Sequence, residues 1–137
     1  MIKSLNHVCI AVKDLEKSIE IFRKIFDFKL VYREKVEQQK VNIASFDVGG
    51  VRIELTSPTD DSSPIAKFLE KKGEGIHHLA FESDNVENEL DRLKKEEIDL
   101  INDRAQEGAH NMLIAFLHPK STNGVLTEIC QEKEEEK

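Results

Sequence analysis

The chain has 137 residues, of which 39% are hydrophobic and 34% charged, with a formal net charge of −7; this is one compact domain's worth of sequence, long enough to bury a substantial core. No apolar run approaches the roughly 18 residues of a membrane span, and the acidic balance argues against general affinity for nucleic acid or acidic membranes. The start at Met1-Ile2-Lys3-Ser4-Leu5 runs directly into a strand pattern, without an apolar leader and small-residue cleavage site. A cytoplasmic setting, or an organelle after processing, is therefore expected, with Cys9 and Cys130 as buried free thiols.

In chain order, the pattern predicts a strand over 3–12 and a helix over 14–26, in which Leu15, Ile19 and Phe22 recur at helical spacing behind Asp14, a good N-cap. Strands follow over 28–36, 41–48 and 51–57, the last two joined at Gly49-Gly50, a tight-hairpin signal. Val51-Arg52-Ile53-Glu54-Leu55 sets a carboxylate inside an apolar run. A linking helix over about 63–72 turns Ile65, Phe68 and Leu69 to the core and leaves Lys67, Lys71 and Lys72 on its wet side.

The same order then starts again. Asn6-His7-Val8 reappears as His77-His78-Leu79, 71 positions on, and Leu15, Ile19 and Phe22 reappear as Val86, Leu90 and Leu93 at that same offset, with Asn85 in place of Asp14. By Gly50 and Gly124 the offset has grown to 74, which places three extra residues in the turn His118-Pro119-Lys120-Ser121-Thr122-Asn123. Turns absorb insertions cheaply because they run over the surface. The fold expected is α+β: a duplicated pair of βαβββ modules, about 1–60 and about 75–131, within one domain over 1–131, followed by a solvated charged tail over 132–137.

Four residues related by this duplication carry the chemistry. His7 matches His78, and Glu54 matches Glu128 in Val125-Leu126-Thr127-Glu128-Ile129. Taken singly, Glu54 is as readily a partner for Arg52 as a ligand. Four such groups recurring in register within apolar strands point to one shared site, because uncompensated buried carboxylates are costly. Two imidazoles and two carboxylates suit a divalent ion such as Co, Mn, Ni or Zn. His77 must point away from its neighbour His78, so it packs or hydrogen-bonds behind the site. His110 and His118 lie in or beside loops.

These residues bring a family into view. Asn6-His7-Val8-Cys9-Ile10-Ala11-Val12-Lys13-Asp14-Leu15-Glu16 resembles the opening of the vicinal oxygen chelate superfamily, which includes glyoxalase I, extradiol dioxygenases and methylmalonyl-CoA epimerases. The stretch from Ser63 through Gly75-Ile76-His77-His78-Leu79-Ala80 and the segment Phe116-Leu117-His118-Pro119-Lys120-Ser121-Thr122-Asn123-Gly124 resemble the epimerases in particular. The resemblance spans about residues 2–130. It implies that the two modules form a vicinal oxygen chelate (glyoxalase-like) cleft in which His7, Glu54, His78 and Glu128 match the metal ligands. It also implies epimerisation of methylmalonyl-CoA at the carbon alpha to the thioester, through a metal-stabilised enolate.

For that chemistry Glu128 is the expected base on one face and Glu54, ahead of Glu37, on the other. A glutamate used as a base in some epimerases aligns best with Asn42 here, and an amide cannot serve as a base. Lys120 and Ser121, with Thr122, are the residues expected to meet the nucleotide end of coenzyme A. The resemblance further implies a homodimer. The nearest alternative is glyoxalase I (lactoylglutathione lyase) acting on a hemithioacetal with the same four ligands; a metal-free binding member of the superfamily is the other.

Overall fold

The computed structural model describes residues 1–133. Among the described residues, eight strands and three α-helices follow the order β1 (Ile2–Ala11), α1 (Leu15–Phe26), β2 (Leu30–Val36), β3 (Val41–Val48), β4 (Val51–Pro58), α2 (Pro64–Lys72), β5 (Gly75–Ser83), α3 (Val86–Lys95), β6 (Gln106–Glu107), β7 (Met112–Leu117) and β8 (Thr127–Glu132). The βαβββ unit thus occurs twice, with α2 between the copies, and the mixed α+β class is as expected. The chain divides into two compact units, His7–His77 and Met1–Asn6 with the chain from His78 onward. Each is described by itself.

In the His7–His77 unit the strand order is β2-β3-β4-β1, with β1 parallel to β4 and the other pairs antiparallel. Gly49 and Gly50 close the β3–β4 hairpin with φ of 62° and 90°, values that other residues adopt only under strain. Asp14 caps α1 by accepting from the Lys17 amide at 3.1 Å, and α1 lays Ile19 onto the sheet. Behind the sheet lies a core of Val12, Ile19, Ala44, Phe46 and Leu55. Phe46 is fully buried, with the Phe22 ring centroid at 6.1 Å and that of Phe28 at 6.0 Å.

The second unit repeats the plan as β5-β8-β7-β6, with β5 parallel to β8. Asn85 caps α3 through the Asn88 amide at 3.0 Å, in the manner of Asp14. Val86, Leu90 and Leu93 from α3 pack on Ala115, Leu117 and Ile129. β6 has only two residues where β2 has seven. Gly108 follows it so closely against β7 that an added Cβ would sit 2.8 Å from the Ile114 side chain. The predicted free tail begins later than expected: Glu132 belongs to β8, and Lys133 pairs with Glu107. The rest of the tail, 134–137, lies outside the described residues. No helix among the described residues is long and apolar enough to cross a membrane.

Candidate metal centre

Strand register decides what shares a face with each proposed ligand. On β1 and β4 the Cα partners are His7 with Arg52, Cys9 with Glu54 and Ala11 with Thr56; on β3 and β4 they are Ser45 with Glu54 and Ile43 with Thr56. His7, Cys9, Ser45, Arg52, Glu54 and Thr56 therefore point to one face, opposite the α1 core. There His7 Nε2 lies 3.4 Å from Glu54 Oε1. The other carboxylate oxygen, Oε2, accepts from the Ser45 hydroxyl at 3.3 Å and has Arg52 Nε at 3.7 Å. The Cys9 thiol, buried and outside any disulfide as expected, donates to Thr56 Oγ1 at 3.3 Å.

The second unit brings its own pair together. Ala80 opposes Glu128 across β5 and β8, and Phe116 opposes it across β7 and β8. His78 Nε2 lies 3.6 Å from Glu128 Oε1, and the Phe116 ring meets the His78 ring edge-on at 5.1 Å. Ala80, Met112, Ile114 and Cys130 form an apolar cluster on this same face, with Phe116 packed against it. All four paired residues are deeply buried, from 3% exposed for Glu54 to 8% for His78.

The spacing within each pair bears on whether these residues fit a metal. Two nitrogen or oxygen donors about 2.1 Å from a four-coordinate ion lie roughly 3.4 Å apart. Separations of 3.4 and 3.6 Å match that figure. Neutral imidazole nitrogens and carboxylate oxygens are also the donor chemistry of a borderline divalent ion. Each pair, taken by itself, fits two positions on such an ion.

The other expected residues fall elsewhere. His77 is half-buried, edge-on to the Phe68 ring at 5.0 Å, and its partial removal from water lowers its pKa to about 4. Lys72, on the wet side of α2, reaches over the same Phe68 ring at 5.9 Å. Glu37 is exposed and pairs with Lys35 at 3.4 Å. His118 caps the short 3-10 helix Pro119–Thr122, accepting from the Lys120 amide at 3.1 Å. In that inserted loop Lys120 is exposed, the Ser121 hydroxyl donates to the Asp99 carbonyl at 3.0 Å, and the Thr122 hydroxyl donates to the Val125 carbonyl at 2.6 Å.

Asn42 opposes Ser57, which places it on the α1 side of the sheet and not with Glu54. The β3 residues that share the Glu54 face are Val41, Ile43, Ser45 and Asp47. Ser45 is the partner of Glu54 that reading the sequence missed, and its signal was present. A two-residue Gly49-Gly50 turn pairs 48 with 51, and counting outward sets 45 against 54.

Residues 6–116 match the model of the Glyoxalase/Bleomycin resistance protein/Dioxygenase superfamily. An uncharacterized Bacillus subtilis protein, YqjC, is 39% identical over 94% of this chain and 92% of its own. The mitochondrial methylmalonyl-CoA epimerase of Mus musculus is 38% identical over 93% of this chain and 72% of its own. A solved Streptomyces coelicolor methylmalonyl-CoA epimerase variant, in complex with 2-nitronate-propionyl-CoA, superposes with a TM-score of 0.93 at 30% identity, covering 100% of this chain and 99% of that one.

Proposed function

We propose that this chain, which belongs to the methylmalonyl-CoA epimerase family of the Glyoxalase/Bleomycin resistance protein/Dioxygenase superfamily, is an isomerase that inverts the carbon between the thioester and the carboxylate of methylmalonyl-CoA. The observation that carries this reading is the pair of buried His–Glu couples at 3.4 and 3.6 Å, one from each copy of the repeat. His7, Glu54, His78 and Glu128 would together hold one divalent ion. When bound, such an ion supplies positive charge to the substrate oxygens as negative charge moves onto them during proton removal.

The residues of the chain do the rest. Glu128 takes the proton on one face of the reacting carbon, and Glu54, its counterpart by duplication, serves the other. Ala80, Met112, Ile114, Cys130 and Phe116 keep water from the Glu128 side. Dry surroundings strengthen every charge interaction there and hinder stray protonation. Lys120 and Ser121 of the inserted loop meet the nucleotide end of coenzyme A, the lysine through its charge. A homodimer in the cytoplasm is the working assembly and setting.

The test starts from a single epimer of methylmalonyl-CoA. Its optical signal should decay to that of the equimolar mixture with metal-loaded protein and persist with chelated protein. Persistence with every one of Co, Mn, Ni and Zn, alongside turnover of a methylglyoxal–glutathione hemithioacetal, would replace this reading with that of a glyoxalase.

A further inference from the structure

The duplicated halves surround their two carboxylates with different chemistry. Position by position in the ladders, Ser45 on β3 corresponds to Phe116 on β7, each directly opposite its glutamate. Arg52 and Leu126, each two residues before the glutamate, correspond in the same way, as do Cys9 and Ala80, the Cα partners of Glu54 and Glu128. Around Glu54 the positions carry a hydroxyl, a guanidinium and a thiol. Around Glu128 they carry a phenyl ring, an isobutyl group and a methyl group, none of which donates a hydrogen bond.

The two oxygens of Glu54 are also divided between tasks. Oε2 receives the Ser45 hydroxyl at 3.3 Å and faces Arg52 Nε at 3.7 Å, while Oε1 lies beside His7 Nε2 at 3.4 Å. A carboxylate on a glutamate side chain otherwise rotates about its last bond over a broad range. With Oε2 accepting from Ser45 and within ion-pair range of Arg52, Oε1 is the atom left to His7 and the ligand face. Ser45 is 0% exposed and Arg52 is half-buried, so neither contact is a passing surface encounter.

We infer that Ser45 and Arg52 are positioning residues that orient the Glu54 carboxylate through Oε2 and aim Oε1, beside His7 Nε2, as the carboxylate oxygen that would meet the ion in this half of the site. The inference rests on the metal reading above. It makes the halves unequal at the matching positions: a hydroxyl and a guanidinium face Glu54 Oε2, where the counterparts beside Glu128 are Phe116 and Leu126. Partners that orient a ligating carboxylate are worth about 10- to 100-fold in metal affinity in comparable sites.

The experiment is a titration of the chelated full chain with Co2+, followed by visible absorption, for the wild type, Ser45→Ala and Arg52→Met. The far-UV circular dichroism of each protein is recorded first. Expected are native circular dichroism in both variants, a dissociation constant for Co2+ raised about 10- to 100-fold, and shifted absorption bands from a reoriented carboxylate. A defect of packing alone would not move those bands. Wild-type affinity and wild-type bands in both variants would overturn the inference while leaving the metal reading intact. A wild-type chain that takes up no Co2+ would overturn both. Should Ser45→Ala fail to fold, the bands of the half-buried Arg52→Met decide.

Discussion

Replacing His78 with alanine separates the fold from the metal, and the size of each effect follows from the site. In the metal-free chain the substitution strips Glu128 of the imidazole 3.6 Å away, and both groups are under a tenth exposed. Breaking a buried pair from one side costs about 3–5 kcal/mol. A chain of 137 residues has roughly 7–20 kcal/mol to lose at about 0.05–0.15 kcal/mol per residue. The variant should therefore stay folded, with a lower urea midpoint. Added metal then reports ligation. At a free Co2+ concentration 100 times its dissociation constant, the wild type gains about 2.7 kcal/mol. Loss of a ligand weakens affinity by at least about 100-fold, the upper figure for disturbing a ligand's surroundings, so the variant gains no more than about 0.4 kcal/mol at the same concentration. Paired urea titrations with and without Co2+ measure both quantities. An equal gain in wild type and variant would remove His78 from the ligand set.

Three further outcomes are expected. Asp14→Ala removes the acceptor for the Lys17 amide at the start of α1 and should cost about 1 kcal/mol, read as a lower urea midpoint with an unchanged slope. Phe46→Ala empties a fully buried position beside Phe22 and Phe28 and should cost about 3–5 kcal/mol; a loss under about 1 kcal/mol would contradict the core described here. Burial lowers the His77 pKa from 6.5 to about 4, so between those values the unfolded chain binds a proton that the folded chain refuses. Metal-free stability should then fall with falling pH across that window, by up to about 1.4 kcal/mol per unit. His77→Phe should flatten that slope, and an NMR titration placing the His77 pKa near 6.5 would sink the argument.

Much of this architecture was legible because duplication writes each element twice. The offset of 71 that links His7 to His78 also links Asp14 to Asn85 and Leu15 to Val86, and the two helices begin one residue after those caps. The four proposed ligands were legible for the same reason, since a buried carboxylate in an apolar strand stands out against its neighbours. The shortness of β6 was not. Gly108, directly after it, packs on Ile114, a contact between residues that no local pattern connects. Asn42 was placed by alignment, whereas pleat and register set it behind the sheet; a one-residue step along a strand reverses the face. Ser45 escaped notice because a serine within a β-rich run carries no signal until the hairpin is counted outward to Glu54. The hydrogen bonds that the Ser121 and Thr122 hydroxyls donate to the Asp99 and Val125 carbonyls were not legible either, because they depend on how the inserted loop folds back on its own unit.

The central claim is that this chain moves a proton on and off the carbon alpha to a thioester. The most direct measurement is deuterium uptake from heavy water into methylmalonyl-CoA, followed by mass spectrometry, with chelated protein and then with metal restored. The account predicts a one-dalton gain at that carbon, accompanying inversion, with metal present and absent after chelation. Inversion without uptake, or no uptake with Co, Mn, Ni or Zn, would contradict it.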